Sequence, residues 1–188
     1  MTENFIKLAE QHSEVHPQGY PPVHLWHPQH CGTMNLVIRK DGSWWHEGRK
    51  IERANMVRLF SRILRREEDG SYVLVTPVEK VTIKVEDAPL MVVDVERVDH
   101  QDGLKPWLHV RTLTDDEVVV DQDHPLWVEI DAKTGEPSPY VLIRAGLHAR
   151  IHRNAFYRMI EWAELSQQEH GEDCLLSSGS YLCSLGSA

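Results

Sequence analysis

Cysteine is scarce in this chain: Cys31, Cys174 and Cys183 form no Cys-x-x-Cys pair and leave an odd residue over. That usage excludes a disulfide framework and fits a reducing compartment, so the expected location is the cytoplasm. Long apolar runs are also missing, and none approaches a membrane span. The opening residues MTENFIKLAEQH have neither a basic start nor a long apolar core, so they do not read as a secretory signal. Basic residues are in deficit, with 20 Lys and Arg against 29 Asp and Glu and a formal charge of −9. Such a balance opposes attraction to nucleic acid or anionic membrane, and neither is expected as a partner. No GxxxxGK[ST] loop, no GxGxxG after a strand and no GxSxG elbow is present. The sequence therefore nominates no catalytic residue, no cofactor and no metal.

What is present is patterning. With 188 residues, 41% of them hydrophobic, the chain can bury a real core in one domain or two small ones. Thr2 is placed to cap a short helix running to about Gln11, with Phe5, Leu8 and Ala9 on one face. The proline-dense segment PQGYPPVHLWHPQHCG reads as an extended, irregular lead-in. In MNLVIRKDGSWWHEGRKIER, apolar alternation flanks Asp41-Gly42, a hairpin signal. From Ala54 to Arg66 the residues Met56, Leu59, Phe60, Ile63 and Leu64 follow helical spacing, and Asp69-Gly70 is the expected stop. The strand SYVLVTP follows.

From Val81 onward there are seven candidate strands: VTIKVE, LMVVDVERV, WLHVRTL, EVVVD, LWVEID, YVLIR and LHARIHR. Turn signals such as Gln101-Asp102-Gly103, Thr114-Asp115-Asp116 and Lys133-Thr134-Gly135 separate them. A second helix is expected from Asn154 as N-cap, with Phe156, Met159, Ile160 and Ala163 inward. The expected fold is α+β in two unequal domains, residues 1–80 (helix, hairpin, helix, strand) and 81–188, the second a seven-stranded antiparallel unit closed by a helix.

The two halves echo one another. KIERANMVRLF at Lys50–Phe60 returns as RIHRNAFYRMI at Arg150–Ile160, with Ile51, Arg53 and Arg58 matched by Ile151, Arg153 and Arg158. After each helix comes Gly-Ser-Tyr, at Gly70 and again at Gly179. A partial internal repeat follows from that order.

Several patches also resemble a known family. They are PPVHLW at Pro21–Trp26, RKDGSWWHEG at Arg39–Gly48, IERANMVRLF at Ile51–Phe60 and EEDGSYVLVTPVEKVTIKVEDAP at Glu67–Pro89. GEPSPYVLIRAGLHARIHR at Gly135–Arg153 and SGSYLCSLG at Ser178–Gly186 complete the set. On these residues the chain resembles the domain-of-unknown-function family numbered 1285, departing from it at Gly48-Arg49-Lys50, where the family looks to have Gly-Thr-Pro. The resemblance implies a duplicated architecture with a C-terminal part similar to a pleckstrin-homology fold. It also implies a ligand site between the domains for a nucleotide-like molecule, and a role in signal transduction.

Read from the residues, the arginines are the first binding candidates. Arg53 and Arg153 each stand at a strand-to-helix junction, where exposed amides already make a positive potential. Something anionic should compensate, either a bound phosphate or a carboxylate of the fold such as Glu52, Glu79 or Asp87. Packed face to face, the repeats would bring Arg53, Arg144, Arg150 and Arg153 to one interdomain cleft. Thr76, Glu79 and Lys80 of the TPVEK stretch lie at the expected domain joint and add a hydroxyl, a carboxylate and an ammonium. These seven residues form the expected ligand set.

Other constellations read as structural. His24, His27 and His30 recur every third residue, and a polyproline helix would align them beside Cys31, but no second ligand pair accompanies them. His12-Ser-Glu-Val-His16 is not an HExxH motif. Trp44, Trp45, Trp107, Trp127 and Trp162 are expected in the core, and the Asp115, Asp116, Asp121 and Asp123 run on a solvated face. The expected function is a ligand-binding or sensor protein for a nucleotide-like phosphorylated molecule, with a signalling protein as possible partner. A protein-interaction scaffold is the alternative and a hydrolytic enzyme the weaker one.

Overall fold

Alternation makes the first strand: along β1 (His30–Ile38), Leu36 and Ile38 turn inward and are completely buried. The computed structural model describes Lys7 and residues 20–99, 105–168 and 171–187. The helix expected from Thr2 to Gln11 and the turn at Gln101-Asp102-Gly103 lie outside the described residues, apart from Lys7, which is helical and exposed. The chain forms two compact units, Met1–Pro89 and Leu90–Ala188, both mostly β, with two α-helices among the described residues.

In the first unit β1 is followed by β2 (Trp44–His46), β3 (Arg49–Lys50), α1 (Ala54–Arg62), β4 (Leu64–Arg66), β5 (Tyr72–Val75) and β6 (Lys80–Val85). They make one six-stranded sheet in the order β3-β2-β1-β6-β5-β4, with β1 and β6 parallel and the remaining pairs antiparallel. Helix α1 buries Val57 and Phe60, and Phe60 stacks on Trp44 at 6.4 Å between ring centroids. The helix ends at Arg62, earlier than its apolar spacing suggests. Ile63 and Leu64 remain fully buried, but Leu64 serves β4, because a strand also buries alternate residues and the two periods agree over a short span. Asp69-Gly70 therefore turns β4 into β5 and does not end the helix.

The strand at Val81–Glu86, expected to open the second domain, is β6 and lies between β1 and β5. The division falls at Pro89/Leu90, not at 80/81. TPVEK is accordingly the β5–β6 turn and not a domain joint.

The second unit contains β7 (Leu90–Val98), β8 (Trp107–Thr112), β9 (Glu117–Val119), β10 (Leu126–Ile130), β11 (Pro137–Arg144), β12 (Leu147–Ile151), α2 (Arg153–Trp162), β13 (Glu164–Gln168), β14 (Gly171–Ser178) and β15 (Tyr181–Ser187). All seven candidate stretches are strands. Six of them build a mixed sheet in the order β10-β11-β12-β7-β8-β9, whose β12–β7 pair is parallel, while β13-β14-β15 form a separate antiparallel sheet. In place of the expected seven-stranded antiparallel unit stand one mixed sheet of six and one antiparallel sheet of three. Helix α2 packs on β7 and β14 and buries Ala155, Phe156 and Met159; Ile160 is 40% exposed, and Ala163 has already left the helix. The N-cap is His152, whose Nδ1 accepts from the Asn154 amide at 3.3 Å, so the helix starts earlier than Asn154 suggested.

Three hairpin turns share one bonding pattern. In Arg39–Ser43 and Glu67–Ser71 the first amide donates to the last carbonyl, at 2.9 and 2.8 Å, with Gly42 and Gly70 at φ 79° and 85°. Asp41 and Asp69 each accept from the serine amide at 2.9 Å. Thr112–Asp116 repeats the main-chain pattern with Asp115 at φ 63° in the glycine's place. A different strain sits in the β11–β12 turn, where Ala145 and Gly146 both have positive φ, 44° and 74°. Alanine there carries the left-handed cost without asparagine's tolerance for it. Ala145→Asn is expected to raise stability by about 0.5–1 kcal/mol, read as a shift of the urea midpoint at unchanged slope.

Candidate functional site

In the first unit, Arg53 is the N-cap of α1, exposed, with no side-chain capping bond. Thr76 and Glu79 meet, but they close a turn on each other: the Thr76 amide donates to the Glu79 carbonyl at 2.8 Å, and the Glu79 amide donates to Thr76 Oγ1 at 3.0 Å. Thr76 is 0% exposed and offers nothing to a ligand. Lys80 is held by Glu67 at 3.0 Å. The same carboxylate takes Arg65, whose Nη1 also donates to the Val23 and Trp26 carbonyls, at 2.7 Å each. Burial pushes the Glu67 carboxyl up, yet the hydrogen bonds from Lys80 and Arg65 outweigh it and leave the group below its usual range. This cluster fastens the proline-rich lead-in to β4 and uses up Lys80.

That lead-in does not align its histidines. Val23–Leu25 is a 3-10 turn containing His24, and His30 opens β1 with its Nε2 2.9 Å from Thr82 Oγ1. Among the described residues no group of three His, Cys, Asp or Glu side chains is arranged to hold a metal ion.

In the second unit, Arg144 is committed to the fold. Its Nε donates to Asp116 Oδ1 at 2.9 Å, and Asp116 is 2% exposed, not on the solvated face expected for it. Arg150 donates to Ser138 Oγ at 3.0 Å and lies 5.9 Å from the centroid of Tyr140. Register places Trp127, Tyr140 and Arg150 in one row across β10, β11 and β12, and His148 packs on both rings. Arg153 is the first residue of α2 and exposed, its guanidinium 6.0 Å from the Tyr157 ring, itself 52% exposed. Among the described residues no carboxylate pairs with Arg53 or with Arg153.

The repeated Arg58 and Arg158 have different work. Arg58 donates to Asn55 Oδ1 at 3.3 Å, whereas Arg158 ties α2 to β7 through Asp94 at 2.5 Å. Arg111 reaches the other Asp94 oxygen at 3.2 Å. The Arg158 hydrogen bond is the main reason that the Asp94 carboxyl lies below its usual range. Beside it, Asp94, Glu96, His109, Val110, Arg111 and Glu117 line an open depression. Sequence reasoning passed over this place, although polar residues at alternate positions of β7 and β8, Asp94 and Glu96 with His109 and Arg111, mark an outward face.

The two-unit arrangement has counterparts. Residues 21–88 match the N-terminal domain of a family described as a domain of unknown function, DUF1285, and residues 89–185 match its C-terminal domain. The chain belongs to the DUF1285 family. A crystal structure of a DUF1285 protein from Silicibacter pomeroyi DSS-3 is 42% identical, with a TM-score of 0.79 over 93% of this chain and 92% of that one. A DUF1285 protein from Shewanella baltica OS155 is 29% identical, with a TM-score of 0.52 over 68% of this chain and 91% of that one. No curated protein matches the chain. The DUF1285 resemblance read from PPVHLW through SGSYLCSLG is borne out, and the family boundary agrees with the structural division near Pro89. Among the described residues no helix is long and apolar enough to cross a membrane.

Proposed function

We propose that the protein is a binding or sensor protein for a small phosphorylated, nucleotide-like ligand, and that Arg153 at the start of α2 is its main anion contact. The observation that carries this reading is an exposed guanidinium at a positive helix end with no carboxylate partner among the described residues. His152 adds a donor, because its Nδ1 accepts the Asn154 amide and the ring proton then sits on Nε2. The half-exposed Tyr157 ring offers a flat surface for a base. Arg53 repeats the cation in the first unit. A signal-transduction role, a pleckstrin-homology-like use of the second unit and a cytosolic setting belong to the same proposal; a helix packed on a mostly antiparallel sheet and the free cysteines support them.

The test is a thermal-shift panel of inorganic phosphate, mononucleotides and dinucleotides. A ligand at one hundred times its Kd stabilises by about 2.7 kcal/mol, and Arg153→Ala should abolish the shift. In the absence of ligand the same variant should gain about 0.3–1 kcal/mol, since it removes a cation from the positive helix end. A structural arginine would instead lose stability. An unchanged shift in Arg153→Ala, or no shift with any phosphorylated compound, overturns the reading. Turnover of phosphoesters would favour an enzyme.

A further inference from the structure

Strand β9 closes the six-stranded sheet, and among the described residues no strand pairs with its outer side. Its pairing with β8 is fixed: His109 faces Val119, Val110 faces Val118 and Arg111 faces Glu117. The Thr112 amide donates to the Asp116 carbonyl and the Val120 amide to the Leu108 carbonyl, at 2.9 Å each, so residues 116 and 120 bond toward β8. Backbone polarity alternates along an antiparallel strand, which makes Val118 bond inward as well. The amide and carbonyl of Glu117 and of Val119 therefore point away from the sheet. An edge of that kind is a template for an added strand.

Two other edges among the described residues are guarded. β3 carries exposed Arg49 and Lys50, and β4 is covered by the 3-10 turn that Arg65 holds. Beside β9 lies the depression, where Asp94, Glu96 and Glu117 contribute three carboxylates against the one guanidinium of Arg111. Asp94 is answered by Arg158 and Arg111, but Glu96 and Glu117 have no ion pair among the described residues. Two such edges laid together would oppose like charges, which disfavours a second copy of this chain.

The geometry points to a docking site for a short extended segment of a partner protein, with basic residues at alternate positions, added to the β9 edge. The partner's backbone pairs with Glu117 and Val119. Every second side chain then falls over the depression, where Lys or Arg meets Glu117 and Glu96 adds to the negative potential.

The test titrates the full-length, nitrogen-15-labelled protein with two synthetic peptides of equal length, one alternating Lys and Val, the other Glu and Val. The Lys peptide is expected to shift the Glu117 and Val119 amide signals saturably, and the Glu peptide to leave them in place. Val119→Pro removes an outward N–H, a change that an edge strand tolerates, and should weaken the Lys peptide about tenfold. The double change Glu96→Lys, Glu117→Lys leaves the backbone intact and should reverse the preference between peptides, so the proposal stays testable if the proline variant fails to fold. Equal binding of the two peptides, shifts mapping elsewhere, no shift at all, or an unaffected Val119→Pro would overturn it. So would concentration-dependent shifts at these amides without peptide, which would show self-association.

Discussion

Asp116→Ala is expected to cost about 3–5 kcal/mol, the range found when one partner of a buried ion pair is removed. The side chain is 2% exposed and Arg144 is 14% exposed, so neither charge can turn to water in compensation. Asp116 Oδ1 accepts from Arg144 Nε at 2.9 Å, and Oδ2 accepts from the Thr112 and Thr114 hydroxyls at 2.9 and 2.6 Å. Thr112 Oγ1 in turn accepts the Asp116 amide at 2.9 Å, closing the β8–β9 turn on itself. Alanine removes at once the acceptor that Arg144 Nε and both hydroxyls use. Asp116→Asn keeps the shape and one acceptor and should lose less. Arg144→Met combined with Asp116→Ala should lose less than the two single costs added, because the stranded charge is gone. Urea unfolding measures all four variants, Arg144→Met alone included, and a loss below about 1 kcal/mol in Asp116→Ala would mean that water enters and satisfies the arginine.

The same pair shows what a sequence withholds. Arg144 earned its place among the ligand candidates from its block of basic residues, but its partner lies 28 positions away, and nothing local announces the meeting. Lys80 and Glu67, 13 apart, are a second example. Arg53 and Arg153 were placed correctly at helix starts, since apolar spacing and the strands before them mark those starts. Strands were legible because alternation is local. Their partners were not: Val81 and Ile83 alternate equally well in either unit, and the parallel β1–β6 and β12–β7 pairs join strands that are distant in sequence. β13 and β14 escaped notice because Ser166, Gln167, Gln168, Glu172 and Asp173 break the apolar pattern.

The repeated Gly-Ser-Tyr supplies the second large prediction, because its two copies sit in unlike surroundings. At Gly179, φ is 55° and an added Cβ would stand 2.6 Å from two atoms of the Trp107 ring, closer than any real contact. The backbone cannot simply back away from the ring, since two bonds pin the β14–β15 hairpin to the start of β8. The Gly179 amide donates to the Pro106 carbonyl at 3.1 Å, and the buried Ser178 Oγ accepts the Leu108 amide at 2.9 Å. At Gly70, φ is 85° but the nearest atom is the tip of Arg66, 3.9 Å away. Gly70→Ala therefore carries only the left-handed backbone cost, about 1 kcal/mol, while Gly179→Ala adds overpacking of about 1–3 kcal/mol. A total of about 2–4 kcal/mol is expected at Gly179. Trp107→Leu on the Gly179→Ala background should recover the steric part alone, visible as a coupling of about 1–2 kcal/mol in the double-mutant cycle. Equal losses at the two glycines, with no coupling to Trp107, would show that the ring yields freely and that the hairpin is not docked through it.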